Sequence, residues 1–452
     1  MMPRRYYIKT FGCQMNERDA EIMAQSLAGD GYLAGDSLEQ ADLVIINTCS
    51  VRAKAEQKVM SLLGFLRKIK ASRPEMRLCV AGCVAQQEGA RIIERMPHVD
   101  LVIGTQHIYR IAELLEAARL GGQRTVIDLQ DNYQIPRFLP QSQKCLPPPV
   151  RPFRKFVTIM QGCNNFCTYC VVPYTRGREV SRSAKDIIDE IKVLVESGVI
   201  EITLLGQNVN SYGRTNQVDT ENPDYGFADL LGQVAKISGL KRLRFTTSHP
   251  KDLSEALIRC FADIPKLCPQ LHLPVQAGSD RILRIMNRHY TVADYLEKVN
   301  RLRKACPAIA LTTDIIVGFP GETEADFSGT MDLLDQVRFH GSFSFKYSDR
   351  PGTRACKLAD KVDEMVKAER LARFQARQDA LSLERNREYV GEVRAVLVEE
   401  VSSSGARGRT GTNHLVHFQE TLPCRPGDLV NARIVHAGQH SLQGRLAEKE
   451  ES

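Results

Sequence analysis

Three cysteines lie on one short segment of the chain, at Cys163, Cys167 and Cys170. Their C-x3-C-x2-C spacing brings three thiolates together, and no Cys or His follows within the next 40 residues. Iron–sulfur clusters are usually bound by four cysteines, so this loop predicts a [4Fe-4S] cluster with one iron left open. Reactive metal sites keep an open coordination position, whereas structural sites are closed. The loop therefore predicts a cluster that carries out chemistry.

A zinc knuckle is the alternative for the same three thiols. Structural zinc normally has four Cys or His ligands, often arranged as two close pairs. The residues after Cys170 supply no fourth ligand nearby, so a zinc site would need a distant one. The spacing therefore favours the iron–sulfur cluster.

The chain has 452 residues, enough for about three domains of ordinary size. Its hydrophobic fraction of 43% and charged fraction of 25% are typical of a soluble globular protein. The first residues lack the apolar stretch of a signal peptide, and no apolar run is long enough to span a membrane. Thirteen cysteines without an export signal favour metal ligation in a reducing cytoplasm over disulfides.

The first 130 residues alternate between short apolar runs and helical stretches. Strands are predicted over residues 6–10, 43–47, 77–81 and 101–103, with helices between them over 19–27, 54–69 and 86–95. This alternation predicts a doubly wound parallel sheet.

A second set of cysteines follows these strands. Cys13, Cys49 and Cys83 each lie within three residues of the carboxyl end of a predicted strand. Ligands collect at that edge of open α/β sheets, so the three thiols are expected to converge. One such cysteine would most simply be core packing, but three in register predict ligands of a second iron–sulfur cluster, again with one open iron. Cys79, inside a strand, is predicted to be core.

A proline-rich stretch at 131–150 predicts an extended linker. Strands are then predicted over residues 156–160, 201–205, 242–245, 270–273, 311–317 and 341–347. Six such repeats predict a closed or partial barrel, with functional residues at the carboxyl ends of its strands. The loop that begins at Cys163 follows the first of these strands. Short strands from 381 to 448 predict a small β-barrel, a fold that often binds RNA.

Basic residues flank the first cysteine loop. Between residues 151 and 182 there is one acid, Glu179, and there are six bases: Arg151, Arg154, Lys155, Arg176, Arg178 and Arg182. A solvated surface patch would explain them. A positive mouth around a metal site would instead suit a polyanionic substrate.

The C-x3-C-x2-C loop resembles that of the radical S-adenosylmethionine (SAM) superfamily. Three further segments are similar to its methylthiotransferases: Phe11-Gly12-Cys13-Gln14-Met15-Asn16, Asn47-Thr48-Cys49-Ser50-Val51-Arg52 and Ala81-Gly82-Cys83-Val84-Ala85-Gln86. Residues 162–182 and 345–353 resemble the tRNA-specific branch of that family. The resemblance implies four segments: a methylthiotransferase domain with the parallel sheet (1–130), the linker (131–150), a radical SAM partial (β/α)6 barrel (151–380) and an all-β, RNA-binding TRAM-like barrel (381–448).

The resemblance implies methylthiolation of carbon 2 of N6-isopentenyladenosine at position 37, in the tRNA anticodon loop. One SAM would bind the Cys163/Cys167/Cys170 cluster and supply a radical, and a second would donate the methyl group. The Cys13/Cys49/Cys83 cluster would carry the sulfur. The implied partners are tRNA, a reductase or ferredoxin/flavodoxin-type electron donor, and a sulfur or cluster-assembly donor. The protein is expected to be a cytoplasmic monomer without membrane attachment.

By the same resemblance, five residues are candidates for holding SAM: Gly206, Gln207, Ser248, Gln276 and Arg288. Three alternatives stay open: action on threonylcarbamoyladenosine in tRNA, action on a ribosomal-protein aspartate, or a non-catalytic iron–sulfur RNA-binding protein. Asn164 and Asn165, with residues 50–52, favour the isopentenyladenosine branch.

Overall fold

A computed structural model describes residues 4–50, 53–139, 152–420 and 423–447 of the protein. Most of the predicted proline-rich linker, from residue 140 onward, lies outside these ranges, as do Val51 and Arg52. No helix within the described ranges is both long and apolar enough to cross a membrane.

The N-terminal unit is a six-stranded parallel sheet with the order β2-β1-β3-β4-β5-β6. Its strands are β1 (Arg5–Thr10), β2 (Leu33–Ala34), β3 (Leu43–Thr48), β4 (Arg77–Gly82), β5 (Leu101–Ile103) and β6 (Thr125–Val126). Its helices are α1 (Gln14–Gly29), α2 (Ala53–Ser72), α3 (Cys83–Glu88), α4 (Ala90–Arg95) and α5 (Ile111–Arg119). An apolar core lies on each face of the sheet, which confirms the predicted doubly wound fold.

The single helix predicted over residues 86–95 is wrong. The chain forms α3 and α4 instead, and the two meet at Gly89, whose φ is +53°. A Cβ at this position would lie 2.6 Å from Ile127 Cδ1, so both the backbone angle and the close approach require glycine. Apolar periodicity alone does not detect this break.

The central unit is a half-barrel of six parallel strands, confirming the predicted partial (β/α)6 barrel. Two three-stranded sheets, β7-β10-β11 and β12-β13-β14, are joined by a bridge between Leu243 and Leu267. The strands are β7 (Arg154–Thr158), β10 (Glu201–Leu205), β11 (Arg242–Phe245), β12 (Gln270–His272), β13 (Ala310–Val317) and β14 (Gly341–Lys346), with a small ribbon of β8 (Met160–Gln161) and β9 (Val180–Ser181). Within the described residues β7 and β14 are not paired with each other, so the barrel is open between them.

Helices pack against the outer face of this half-barrel and enclose the largest apolar core. They are α7 (Ala184–Glu196), α8 (Phe227–Ala235), α9 (Glu255–Asp263), α11 (Val292–Ala305), α12 (Glu324–Val337) and α13 (Glu364–Arg387). The short helix α6 (Val172–Thr175) follows the cysteine loop and packs against α3, and α10 (Asp280–Ile285) packs in a smaller apolar cluster. Alternate residues of each strand therefore face the helices, while the others line the inside of the half-barrel.

The C-terminal unit is a closed five-stranded barrel with the order β15-β16-β17-β19-β18, as predicted. The strands are β15 (Val393–Ser402), β16 (Gly405–Thr410), β17 (Leu415–Phe418), β18 (Leu429–Ala437) and β19 (Leu442–Leu446). Arg242 donates to the carbonyls of Arg409 and Ala395, and Arg244 donates to those of Thr410 and Gly411. Two arginines of β11 thus fix the small barrel against the half-barrel.

Candidate active site

The N-terminal cysteines converge where three neighbouring strands end. Cys13 caps α1 after β1, Cys49 directly follows β3, and Cys83 is the first residue of α3 after β4. Because β1, β3 and β4 are adjacent and parallel, their carboxyl ends share one edge of the sheet. A hydrogen bond from the Cys49 thiol lowers the pKa of Cys13 to about 6. The thiols that the sequence separates thus lie together.

Two glycines allow this convergence. Gly12 has a φ of +125°, and a Cβ there would collide with the Cβ of Cys49 and lie 2.9 Å from its Sγ. Gly82 has a φ of +91°, and a Cβ there would lie 2.5 Å from the Thr48 carbonyl oxygen. Any side chain at either position would push the cysteine turns apart.

Cys79, by contrast, is fully buried inside β4, and burial strongly raises its thiol pKa, as expected for a core cysteine.

The second triad lies on the loop after β7 and β8, at the carboxyl edge of the half-barrel. Cys163 and Cys167 are buried and Cys170 is partly buried. Burial raises the pKa of Cys163 to about 11 and that of Cys170 to about 12, so these thiols stay protonated at neutral pH unless a metal replaces the proton.

The residues after α10 fix the shape of this loop. The Met286 carbonyl accepts a hydrogen bond from the Thr168 amide at 3.0 Å. Asn287 donates to the carbonyls of Asn165 and Phe166, at 3.0 and 3.1 Å. The next residue, Arg288, is buried, and its Nη1 lies 3.5 Å from the Sγ of Cys167. Arg288 therefore contacts a cysteine of the triad directly.

The other SAM candidates follow successive strands of the half-barrel at the same edge. Gln207 accepts a hydrogen bond from the Gly162 amide at 2.6 Å, which ties the end of β10 to the cysteine loop. A Cβ at Gly206 would collide with Met160. The buried hydroxyl of Ser248 has no hydrogen-bond partner in the described structure, and Gln276 has a φ of +77°. A buried polar atom without a partner is typical of a ligand site.

The donor set fits clusters better than a single zinc ion. Within the described ranges, no three His, Cys, Asp or Glu side chains lie close enough together to hold one metal ion. A cluster of several irons spreads its thiolates over a wider space, and each triad supplies thiolates alone. Each triad thus offers three thiols without a histidine or carboxylate, which is the donor set that iron–sulfur clusters use.

The basic residues around the cysteine loop do not form an open positive mouth, nor are they a solvated patch. Four of them pair with carboxylates of other elements: Arg154 with Glu399, Lys155 with Glu21, Arg176 with Asp19, and Arg182 with Glu190. Arg178 is exposed, over the Phe166 ring, and Arg151 lies outside the described residues. Arg154, Lys155 and Arg176 thus form ion pairs between units of the protein, a role that composition alone does not reveal.

A carboxylate that the sequence analysis missed joins the first two units. Glu190, on α7, is fully buried and accepts hydrogen bonds from Arg182, at 2.8 Å, and from Arg18 of α1. Arg182 also donates to the Thr158 carbonyl at the end of β7. The helix that begins at Cys13 is thereby held against the strand that leads to Cys163.

The inner wall of the half-barrel carries exposed aromatic rings near its open side. Phe343 and Phe345, on β14, are 56% and 42% exposed. The Phe343 ring lies edge-on to His272, 6.0 Å between centroids, and His272 Nε2 lies 3.4 Å from Asp314. Ser344, the residue between the two phenylalanines, contacts Gln375 of α13 on the outer face. The rings therefore face the space inside the half-barrel.

Comparison with known proteins covers nearly the whole chain. Residues 157–334 match the radical SAM superfamily, residues 387–447 match the TRAM domain, and residues 5–104 match the uncharacterized protein family UPF0004. The protein also resembles a solved radical SAM methyltransferase, TsrM from Kitasatospora setae with cobalamin and a [4Fe-4S] cluster. That similarity has a TM-score of 0.56 at 14% identity, covers 78% of this chain and 74% of TsrM, and shows a shared fold.

Two curated relatives carry the same name, tRNA-2-methylthio-N(6)-dimethylallyladenosine synthase. The protein from Desulfotalea psychrophila is 61% identical over 99% of this chain and 100% of its own length. That from Geobacter metallireducens is 50% identical over 98% of each chain. With both cysteine triads and all three units in place, the chain belongs to the tRNA-2-methylthio-N(6)-dimethylallyladenosine synthase family of radical SAM enzymes.

Proposed function

We propose that this enzyme adds a methylthio group to carbon 2 of N6-isopentenyladenosine at position 37 of tRNA. The observation that carries the proposal is the presence of two separate cysteine triads, each at the carboxyl edge of its own parallel sheet. Full-length identity of 61% to a curated synthase supports the same substrate. Two sites with an open iron suit a reaction that needs both a radical and a sulfur donor.

Cys163, Cys167 and Cys170 hold one [4Fe-4S] cluster and Cys13, Cys49 and Cys83 hold the other. When bound, the clusters and SAM supply a 5′-deoxyadenosyl radical at the first site, sulfur at the second and a methyl group from a second SAM. The chain's own contribution is to hold these groups in a fixed arrangement and to exclude water. The buried Glu190 ion pairs supply much of that rigidity.

SAM binds at the edge formed by Gly206, Gln207, Ser248, Gln276 and Arg288. The Ser248 hydroxyl, which has no partner in the described structure, offers a polar contact. A Cβ at Gly206 would collide with Met160, so the residue after β10 carries no side chain. Gln207 and Arg288 act on the cysteine loop itself, through the Gly162 amide and the Cys167 thiol. They orient the loop on which SAM is bound.

The target base reaches the clusters from the open side of the half-barrel. An adenine in the anticodon loop must leave its stack to react, and exposed aromatic rings can replace the lost stacking. Phe343 and Phe345 present such rings at the edge of the opening. Asp314 and His272 add polar groups beside the Phe343 ring.

The C-terminal barrel binds the RNA backbone. Arg433 of β18 and Arg445 of β19 are direct partners across the ladder, and both are exposed. Like charges opposite each other in a sheet repel, so a phosphate between them stabilises the pair.

The protein works as a monomer in the cytoplasm, with an external reductase, ferredoxin or flavodoxin as electron donor and a separate sulfur or cluster-assembly donor.

The decisive experiment is mass spectrometry of tRNA nucleosides from cells that lack the protein. We expect loss of the methylthio group from isopentenyladenosine and its return with the intact gene. Neither a Cys163→Ala/Cys167→Ala/Cys170→Ala variant nor a Cys13→Ala/Cys49→Ala/Cys83→Ala variant should restore it, and each purified variant should keep about half of the iron. Loss of methylthio-threonylcarbamoyladenosine instead would contradict the proposed substrate, and unchanged tRNA would favour a ribosomal-protein target or a non-catalytic role.

A further inference from the structure

Arg176 links the two cysteine sites. It directly follows α6, six residues after Cys170, and its side chain is buried. Its Nη2 lies 2.6 Å from the Asp19 carboxylate, on the helix that Cys13 caps. The neighbouring Thr175 carbonyl accepts a hydrogen bond from Thr105 of the N-terminal unit at 2.7 Å. A residue of the radical-cluster loop is therefore fixed inside the other unit.

The guanidinium faces the Cys13/Cys49/Cys83 triad. α6 packs against α3, which begins at Cys83. Burial raises the pKa of the Cys83 thiol, and the nearby Arg176 charge opposes that shift. Its Nη1 is buried and has no hydrogen-bond partner in the described structure. A buried N–H of a cation is costly to leave unpaired, and this one differs from the unpaired nitrogens of Arg18 and Arg182 in its position beside the Cys83 thiol.

An iron–sulfur cluster would supply an acceptor for this N–H of Arg176. Three thiolates and the cluster sulfides would concentrate negative charge beside the buried Arg176 cation, where charges interact more strongly than in water. Asp19 binds the other end of the guanidinium and holds it in place. Nearby charge and hydrogen bonds to sulfur are the factors by which proteins set cluster potentials.

We propose that Arg176 is the charge partner of the auxiliary cluster, donating to its sulfur ligands and raising its reduction potential. The radical-cluster loop thus supplies part of the surroundings of the sulfur-carrying cluster. The inference rests on the proposed Cys13/Cys49/Cys83 cluster but not on the tRNA reaction.

The test uses the full chain with Cys163, Cys167 and Cys170 replaced by Ala, so that the auxiliary cluster is the one measured. We compare Arg176→Gln and Arg176→Lys with this parent in two measurements. The first is the iron and sulfide content, and the second is the midpoint potential from a redox titration followed by electron paramagnetic resonance. Lys155→Gln is the matched control, because Lys155 also pairs with a carboxylate of α1, Glu21, across the same two units. We expect Arg176→Gln to shift the potential to a more negative value, with Arg176→Lys and Lys155→Gln close to the parent.

Each possible outcome of this experiment supports or contradicts the role of Arg176 at the auxiliary cluster. An unchanged potential in Arg176→Gln with iron retained overturns the role of Arg176 and leaves the cluster assignment intact. Loss of iron in Arg176→Gln but not in Arg176→Lys or Lys155→Gln supports it, because the two Arg176 variants then differ by the charge. Equal loss of iron in Arg176→Gln and Lys155→Gln overturns it in favour of a purely structural contact. A parent that binds no iron overturns the proposed ligand set, and the role of Arg176 with it.

Discussion

Arg288 and Cys167 are in direct contact, with 3.5 Å between the guanidinium Nη1 and the thiol Sγ. The other nitrogens of Arg288 donate to the Pro274 carbonyl at 2.6 Å and to the Tyr290 hydroxyl at 2.9 Å. The guanidinium is thus oriented by the half-barrel before any cluster binds. Contacts with Pro274 and Tyr290 therefore hold the positive charge of Arg288 beside the Cys167 thiol.

Replacing Arg288 should impair the first half-reaction specifically. Groups that contact metal ligands typically contribute about 10- to 100-fold to metal affinity or activity. We expect Arg288→Gln to reduce formation of 5′-deoxyadenosine from SAM, with dithionite as reductant and without tRNA, by about that factor. Arg288→Lys should recover part of it, because the charge remains. Undiminished 5′-deoxyadenosine formation by Arg288→Gln at equal iron content would argue against the role.

Removal of the Phe343 ring should weaken use of tRNA while leaving SAM cleavage intact. Base–aromatic stacking contributes about 1–3 kcal/mol, so Phe343→Ala should lower kcat/KM for methylthiolation by roughly 10-fold or more. Phe343→Tyr keeps the ring and should stay near the parent. Phe65→Ala, which removes an exposed ring from α2 instead, is the matched control. Equal activity of Phe343→Ala and Phe65→Ala would rule out the inner wall as the base platform.

The buried Glu190 should be the main electrostatic determinant of stability between the first two units. Glu190→Gln leaves Arg18 and Arg182 facing a neutral amide, and breaking a buried ion pair costs about 3–5 kcal/mol. The adjacent Asp189 pairs with Lys185 near the surface, so Asp189→Asn should change the free energy of unfolding by less than about 1 kcal/mol. Urea denaturation of both variants measures the difference. Similar values for the two would show that the Glu190 pairs contribute little.

The C-terminal barrel should lose stability in acid through His414. Its ring lies 4.7 Å from that of Tyr389 and 5.6 Å from that of His340, and burial, reinforced by Arg394, Arg385 and Arg409, lowers its pKa to about 4. An unfolded histidine titrates near pH 6.5, so between these values the unfolded chain binds more protons. Stability is complete above about pH 6.5 and falls by at most about 3 kcal/mol as the pH drops toward 4.

The measurement is the difference in unfolding free energy between the parent and His414→Gln at several pH values. It should be constant above neutral pH and should shift in favour of the variant between about pH 6.5 and 4. A difference that does not change with pH would show that His414 titrates normally in the folded protein.

The convergence of Cys13, Cys49 and Cys83 is predictable because parallel strands joined through helices must end at one edge of the sheet. The pairing of Arg176 with Asp19 is not predictable, since the two residues are 157 positions apart and meet only when two units dock. For the same reason, the sequence presents Arg176 and Arg182 as an exposed basic patch, although both are buried.

The two ion pairs of Glu190 also bear on how sulfur reaches the base. Opening the interface would separate Glu190 from Arg18 of the N-terminal unit, whereas the Arg182–Glu190 pair lies within the central unit. The Arg18–Glu190 pair therefore holds the two cysteine triads at a fixed separation while the interface is closed. If the interface stays closed during turnover, the nucleotide must move between the proposed radical and sulfur sites, which makes the flexibility of the anticodon loop part of the catalytic cycle.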